Sequence, residues 1–142
     1  MLIDANVLLY AVDPQSPHHH PAAEWLTRAL NGRTRVGLPS QSVGAFVRIA
    51  THPRVTTNPL RPAQAWEFVQ TWLDAEPVWV PPASGRTMRV LGDLIQRHGV
   101  TGNLVPDAML AALAVEHGIP VVTADSDFAR FPEVRVINPV VG

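Results

Sequence analysis

The sequence contains no cysteine and no lysine, and all eleven of its basic residues are arginine. Without cysteine the chain has no thiol nucleophile, no cysteine zinc site and no disulfide framework. Without lysine, Schiff-base catalysis and the phosphate-binding lysine of P-loop enzymes are excluded. The lack of cysteine fits a reducing compartment, so we expect a cytoplasmic protein.

Charge is also scarce. Charged residues make up 16% of the chain, whereas about 25% is typical of soluble domains. The formal net charge is −1, so any contact with nucleic acid must come from a local group of arginines. No apolar run approaches the ~20 residues of a membrane span. The N-terminal apolar run carries Asp4 and lacks a basic flank, which argues against a signal peptide.

Short apolar runs alternate with segments of helical periodicity. Strands are predicted at residues 1–5, 35–38, 119–123 and 134–137, and weakly at 78–80. Helices are predicted at residues 6–12, 21–30, 41–51, 85–98 and 107–117, with another that begins at Pro62. Such alternation predicts an α/β fold, with a mostly parallel sheet of four or five strands and helices on both faces. No linker or change of composition divides residues 1–142, so we expect one domain.

Four aspartates lie where predicted strands end or helices begin. Asp4 lies within or just after the first strand, Asp125 and Asp127 follow the strand at 119–123, and Asp107 begins a helix. The carboxyl ends of parallel strands meet at one edge of a sheet, where ligands bind. Asp107 as a helix cap and Asp125 and Asp127 as turn residues are the structural alternatives. A carboxylate inside a short apolar strand, such as Asp4, is rarely buried without a partner.

Carboxylates that converge repel one another, and a hard divalent cation relieves that repulsion. Mg²⁺ takes oxygen ligands, commonly one or two carboxylates together with water and substrate phosphate. Such a site suits phosphodiester hydrolysis, because the metal activates a water and stabilises charge on the phosphate. It needs no protein nucleophile, which agrees with a chain that has neither cysteine nor lysine.

Three segments resemble the PIN-domain family, and more narrowly the VapC toxins of bacterial toxin–antitoxin pairs. They are LIDANVLLY near the start, FVRIATHPRV in the middle and GNLVPDAMLAALAVEHGIPVVTADSDFARFP near the end. The resemblance implies one PIN-like domain over residues 1–142. It also implies an endoribonuclease that depends on Mg²⁺ or Mn²⁺, forms a homodimer and is held inactive by a cognate, VapB-like antitoxin.

The resemblance assigns roles to the acidic residues and their neighbours. It implies Asp4, Asp107 and Asp125 as metal ligands and catalytic residues. Asp127 corresponds to a frequent additional acid, and we expect it to be a catalytic residue that assists either directly or through another residue. Asn6 and Thr123 match positions that often support the site by hydrogen bonding.

The sequence departs from the family pattern in one place. The family usually carries another acid, most often glutamate, on the helix after the second strand. Residues 40–48 read SQSVGAFVR and contain no acid. Gln41 and Ser42 are the polar candidates near that place, and whether either replaces the acid is left open. The departure puts a second metal ion in question.

Several polar residues are candidates for RNA contacts. Arg48, His52 and Arg54 are a possible positive rim, because guanidinium groups suit phosphate; a solvated helix end is an equally good interpretation. Asn103 is a possible substrate contact or an ordinary turn residue.

Two further groups have structural interpretations. The tract His18–His20 is expected to be a solvated loop rather than a transition-metal site. Four residues of the helix that begins at Pro62 are expected to belong to a core or interface rather than to a base-stacking platform: Trp66, Val69, Trp72 and Leu73.

The function predicted from these features is a metal-dependent endoribonuclease toxin that acts on RNA in the cytoplasm and does not contact a membrane. The first alternative is a catalytically weak PIN-like module that binds RNA or protein. A phosphotransfer enzyme built on Asp4 is disfavoured, because Asn6 stands where an aspartyl-phosphate hydrolase has a second aspartate and no lysine is present.

Overall fold

The structure is a computed structural model that describes residues 1–141, and a five-stranded sheet lies at its centre. The strands are β1 (Leu2–Ile3), β2 (Val36–Gly37), β3 (Val78–Trp79), β4 (Val121–Val122) and β5 (Val136–Ile137). Their order across the sheet is β3-β2-β1-β4-β5, and every neighbouring pair is parallel. The connections diverge at β1 and β4, which makes the carboxyl ends of these two strands the switch point where ligands bind in open parallel sheets.

Six α-helices surround the sheet in the part of the chain that the structure describes. They are α1 (Ala5–Val12), α2 (His19–Leu30), α3 (Ser40–Ala50), α4 (Pro62–Asp74), α5 (Gly85–His98) and α6 (Val105–His117). Two short 3₁₀ helices, Gly102–Leu104 and Ser126–Arg130, precede α6 and follow β4. The helix α6 ends at Gly118, whose φ of 65° is the left-handed conformation that favours glycine at this position.

The helices form a layer on each face of the sheet. Leu2 and Val121 point to one face, where they pack with α5, α6 and the second 3₁₀ helix. Their strand neighbours Ile3 and Val122 point to the other face, where they pack with α1, α2, α3 and α4. Alternate residues of a strand face opposite sides of a sheet, so these short strands contribute to two separate cores.

The predicted fold class is confirmed, and the weakly predicted strand at residues 78–80 is the fifth strand. The helix α2 begins at His19 rather than at Pro21, so the predicted loop is wrong for His19 and His20, although His20 is exposed to solvent as expected. Pro21 is tolerated in the first turn of α2 because amide groups in the first helical turn have no intrahelical acceptor. The ring of His19 also makes a 2.9 Å hydrogen bond between its Nδ1 and the carbonyl of Tyr10.

In α4, the expected place in the core holds for two of the four residues, and a place in an interface stays a prediction for the other two. Val69 and Trp72 are buried, but Trp66 is 50% exposed and Leu73 is 37% exposed. The stripe that faces the core consists of Ala65, Val69 and Trp72, spaced four and three residues apart, and Trp66 and Leu73 lie outside it. Among residues 1–141, no helix is long and apolar enough to span a membrane.

Candidate metal centre at the carboxyl edge of the sheet

The site begins with Asp4, the residue that directly follows β1. Its backbone is extended and it caps α1, because its Oδ1 accepts a 2.8 Å hydrogen bond from the amide of Ala5. Its Oδ2 accepts hydrogen bonds from Thr123 Oγ1 at 2.9 Å and from Asn6 Nδ2 at 3.2 Å. Both carboxylate oxygens of Asp4 are therefore held by groups of the protein.

Thr123 and Asn6 join the ends of β1 and β4. Thr123 is fully buried, and its Oγ1 accepts a 3.0 Å hydrogen bond from the amide of Asp125 while it donates to Asp4. Asn6 Nδ2 lies 3.0 Å from Thr123 Oγ1, and Asn6 Oδ1 accepts from the amide of Ala124 at 3.1 Å. This network fixes the distance between Asp4 and Asp125 with hydrogen bonds that span both strands.

Three other carboxylates converge beside this network. Asp107, Asp125 and Asp127 each present an oxygen, and the three oxygens lie within 4.8 Å of one another. The amide of Asp127 donates a 2.9 Å hydrogen bond to Asp125 Oδ1, which orients that carboxylate. Asp107 lies in the first turn of α6, where no side chain caps the helix, so its carboxylate projects rather than caps.

The pKa values of two acids show how strongly the site concentrates negative charge. Burial, and then the nearby carboxylates of Asp125, Asp4 and Asp127, raise the pKa of Asp107 from 3.8 to about 7. Burial also raises the pKa of Asp4; its hydrogen bonds from Thr123, Ala5 and Asn6 oppose this effect, and the charge of Asp125 adds to it. The protein itself therefore leaves the negative charge at this edge uncompensated, which is the setting that a bound cation relieves.

The first turn of α3 lies against the site without adding a charge. Gln41 Nε2 donates a 2.7 Å hydrogen bond to the carbonyl of Pro106, the residue before Asp107. Ser42 is buried and its Oγ donates a 2.6 Å hydrogen bond to the carbonyl of Ile3, the residue before Asp4. Each side chain thus contacts the backbone that carries one of the aspartates. The sequence alone did not reveal these two contacts, because each joins residues 39 or more positions apart.

The residues predicted to contact RNA do not all lie near the aspartates. Asn103 is exposed in the 3₁₀ helix that leads directly into α6 and Asp107. Arg48 lies in the last turn of α3, and the exposed Arg54 donates its amide to Nδ1 of His52 at 3.1 Å just beyond that helix. Because α3 is 11 residues long and a helix rises about 1.5 Å per residue, this second group lies at the far end of α3 from Gln41.

Comparisons with known proteins agree with this geometry. Residues 1–134 match the PIN domain family. Ribonuclease VapC37 of Mycobacterium tuberculosis is 44% identical over 138 residues, which cover 97% of this chain and 96% of the relative. Ribonuclease VapC31 of the same species is 39% identical over 139 residues, 97% of each chain.

Solved structures share the fold at lower identity. The structure of FitAcB from Neisseria gonorrhoeae covers 97% of this chain and 96% of its own, with a TM-score of 0.69 and 21% identity. VapBC2 from Rickettsia felis, bound to a DNA fragment from its promoter, has a TM-score of 0.65 and 17% identity and covers 96% of each chain. The family match over most of the chain, the full-length relatives and the aspartates at the switch point lead to one conclusion: this chain belongs to the PIN-domain family, in its VapC group.

Proposed function

We propose that this protein is an endoribonuclease toxin that hydrolyses RNA phosphodiester bonds and is inhibited by a cognate, VapB-like antitoxin. The observation that carries the proposal is the convergence of Asp107, Asp125 and Asp127 beside Asp4 at the carboxyl edge of the sheet. The names of the relatives support it, because they are ribonucleases of the VapC type. Solved complexes of VapB with VapC, to which the chain is similar, support the antitoxin.

The donor set fits Mg²⁺, and Mn²⁺ is the second candidate. All available donors are carboxylate oxygens, the ligands that these hard cations prefer. Asp107, Asp125 and Asp127 would hold the ion, with Asp4 contributing from the β1 side. When bound, the cation offsets the charge of the carboxylates, lowers the pKa of a water and stabilises charge on the phosphate.

The side chains of the protein have the remaining tasks. Asp125 is oriented by its hydrogen bond from the amide of Asp127 and presents an oxygen to Asp107 and Asp127. Asn6 and Thr123 orient Asp4 by hydrogen bonding. Without a cation, the pKa of Asp107 is raised to about 7, so its carboxyl group holds a proton near neutral pH that a bound cation would displace. These residues together orient the attacking water toward the RNA phosphate.

The proposal also covers the oligomeric state, the cellular location and the RNA contacts of the protein. We also propose a homodimer that acts on RNA in the cytoplasm. The antitoxin as its protein partner is supported by the VapBC complexes to which the chain is similar. Asn103 is a candidate contact for the RNA beside the aspartates, since it leads into the helix of Asp107. Arg48, His52 and Arg54 remain candidates for a more distant part of the substrate.

The test is cleavage of total bacterial RNA by purified protein freed of its partner. We expect discrete fragments with Mg²⁺ or Mn²⁺ and none with EDTA. Asp107→Asn should abolish the fragments, because it removes one ligand and its charge. Asp74→Asn is the matched control: it changes an exposed aspartate at the end of α4 and should cleave like the parent protein.

A second candidate function is an RNA- or protein-binding module with little hydrolysis. It is favoured by the first turn of α3, which holds Gln41 and Ser42 in place of the usual acid and engages both in backbone contacts. Folded, partner-free protein that cleaves no RNA in either metal would support this candidate and contradict the nuclease. Cleavage that disappears with EDTA and with Asp107→Asn would exclude it.

A further inference from the structure

Two cavities lie side by side at the amino edge of the sheet, opposite the aspartates. The smaller has a volume of about 240 Å³ and the larger about 410 Å³. Met1 and Thr34 line both cavities, so the two form one continuous surface. We call this surface the basic edge, because four arginines line it: Arg28 and Arg33 in the smaller cavity, Arg35 and Arg135 in the larger.

The basic edge concentrates positive charge in a chain that has little of it. Its four arginines are more than a third of the eleven in the sequence. Within residues 1–141, no aspartate or glutamate lines either cavity, and none of the four arginines forms an ion pair. One carboxylate reaches a lining residue: Glu116 Oε2 lies 4.0 Å from Nε2 of His117, and Glu116 also accepts hydrogen bonds from the hydroxyls of Ser84 and Thr87. All four arginine side chains are exposed and available to a ligand.

The larger cavity also has an apolar wall. The guanidinium of Arg35 lies 4.3 Å from the ring centre of Trp79, and His117 packs edge-on to the same ring at 5.3 Å. Ile119 and Ile137 complete the wall. A volume of about 410 Å³ falls in the range of roughly 300–1,000 Å³ that small-molecule sites occupy. An apolar wall with cations at its rim suits a ligand that has a flat body and an anionic group.

We propose that the basic edge is an exosite for RNA, in which Arg35 and Arg135 hold phosphate groups while the wall formed by Trp79, Ile119 and Ile137 contacts a base. The inference rests on the proposed function, because it supplies the cationic surface that a ribonuclease of net charge −1 needs. The aspartates repel RNA phosphates, whereas this edge attracts them. Arg28 and Arg33 extend the path for the backbone of the same strand.

The position of the exosite determines how a bound RNA lies across the protein. Met1, Arg35 and Arg135 directly precede β1, β2 and β5. By contrast, Asp4 follows β1, and Asp125 and Asp127 follow β4. A strand rises about 3.3 Å per residue, so only about 10 Å of strand separates Met1 from Asp4. An RNA that contacts both edges must pass around the side of the sheet. The exosite therefore selects substrates long enough to do so.

The test measures binding of a fluorescently labelled, mixed-sequence 20-nucleotide RNA by anisotropy, in EDTA so that no cleavage occurs. The double variant Arg35→Gln with Arg135→Gln should bind about tenfold more weakly at moderate salt. The plot of log affinity against log salt should become less steep, with the magnitude of its slope smaller by about 1.4. Each lost phosphate contact on a single strand accounts for about 0.7 of that slope. The matched control, Arg86→Gln with Arg89→Gln on α5, should leave both values unchanged.

A second pair of variants guards against misfolding. Arg28→Gln with Arg33→Gln leaves the contact of Arg35 with Trp79 intact and should lower the affinity and the salt slope in the same direction. If neither pair changes the slope while the RNA still binds, the exosite is wrong. Equally tight binding of polyglutamate with the same sensitivity to both pairs would identify a surface for acidic polypeptide and would overturn the RNA assignment.

Failure of the proposed nuclease function would give a result that differs from failure of the exosite. A protein that cleaves no RNA with Mg²⁺ or Mn²⁺, but whose RNA affinity still falls with both pairs of variants, would retain the exosite and lose the nuclease. Adenosine monophosphate that quenches tryptophan fluorescence, and does so more weakly in the Arg35 and Arg135 double variant, would further support a nucleotide pocket. Inorganic phosphate serves as the control for charge alone.

Discussion

Asp107→Asn should make the metal-free protein more stable, although it removes a residue of the proposed catalytic site. The folded protein raises the pKa of Asp107 from 3.8 to about 7, and each pKa unit corresponds to about 1.4 kcal/mol. The full shift sets a ceiling of about 4 kcal/mol on the cost of the ionised carboxylate. Because the residue is only half-buried, solvent screening reduces this to an expected gain of about 1–2 kcal/mol.

The pH dependence follows from the direction of the shift. An acid whose pKa is raised by folding binds more protons in the folded state than in the unfolded state between the two pKa values. The parent protein should therefore lose stability as the pH rises from about 4 to about 7, and this loss should level off above that range. Asp107→Asn should lack this pH-dependent loss of stability. The variant should therefore be more stable than the parent protein by the full amount at pH 8 and equally stable below pH 4.

The assay is thermal unfolding in EDTA, followed by calorimetry or circular dichroism at pH 4 and pH 8. A gain of 1–2 kcal/mol corresponds to a rise in Tm of roughly 3–7 °C for a domain of this size. Adding Mg²⁺ or Mn²⁺ should raise the Tm of the parent protein much more than that of the variant. The control Asp74→Asn should change stability by less than about 0.5 kcal/mol. The electrostatic argument would be refuted if Asp107→Asn were less stable than the parent protein at pH 8 in EDTA. It would also be refuted if the variant gained as much stability at pH 4 as at pH 8.

Three further predictions concern the network and the scaffold. Thr123→Val removes a buried hydroxyl that donates to Asp4 and accepts from the amide of Asp125, so it should cost about 1–3 kcal/mol of unfolding free energy. It should also lower kcat more than it raises KM, and an unaltered kcat would contradict the positioning role of Thr123. Gly118→Ala meets no atom within 4 Å but has a φ of 65°, so chemical denaturation should show a loss of about 1–2 kcal/mol from backbone strain alone. Phe46→Ala empties a fully buried site against Trp72 and should cost about 3–5 kcal/mol, with a loss below 1 kcal/mol indicating a collapsed cavity.

The succession of helices and strands was predictable because its signals are local. Proline at the start of α4 and glycine at the end of α6 are terminal signals that act within a few residues. The shift of α2 to His19 and the exposure of Trp66 were not predictable in the same way. Both depend on which turn and which stripe of a helix pack against the rest of the protein.

The candidate site was predictable in its residues but not in its internal arrangement. The sequence indicated that Asp4, Asp107, Asp125 and Asp127 would collect at one edge, because each lies next to the end of a strand or the start of a helix. It did not indicate that Asp107, Asp125 and Asp127 form the tight group while Asp4 accepts hydrogen bonds beside it. That distinction depends on how α6 docks against β4, which no local pattern encodes.

The sequence by itself determined the α/β order of elements, the exclusion of thiol and lysine chemistry and the identity of the acidic residues, because composition, periodicity and end signals are properties of neighbouring residues. Only the tertiary structure decided which side chains meet across the fold. The parallel register of β1 with β4 brings Asn6 to Thr123, 117 positions away. The pairing of β2 with β1 and of β5 with β4 places Arg35 and Arg135, separated by most of the chain, along one cavity at the opposite edge. Such distances are set by strand pairing and helix packing, which act only when the whole domain is folded.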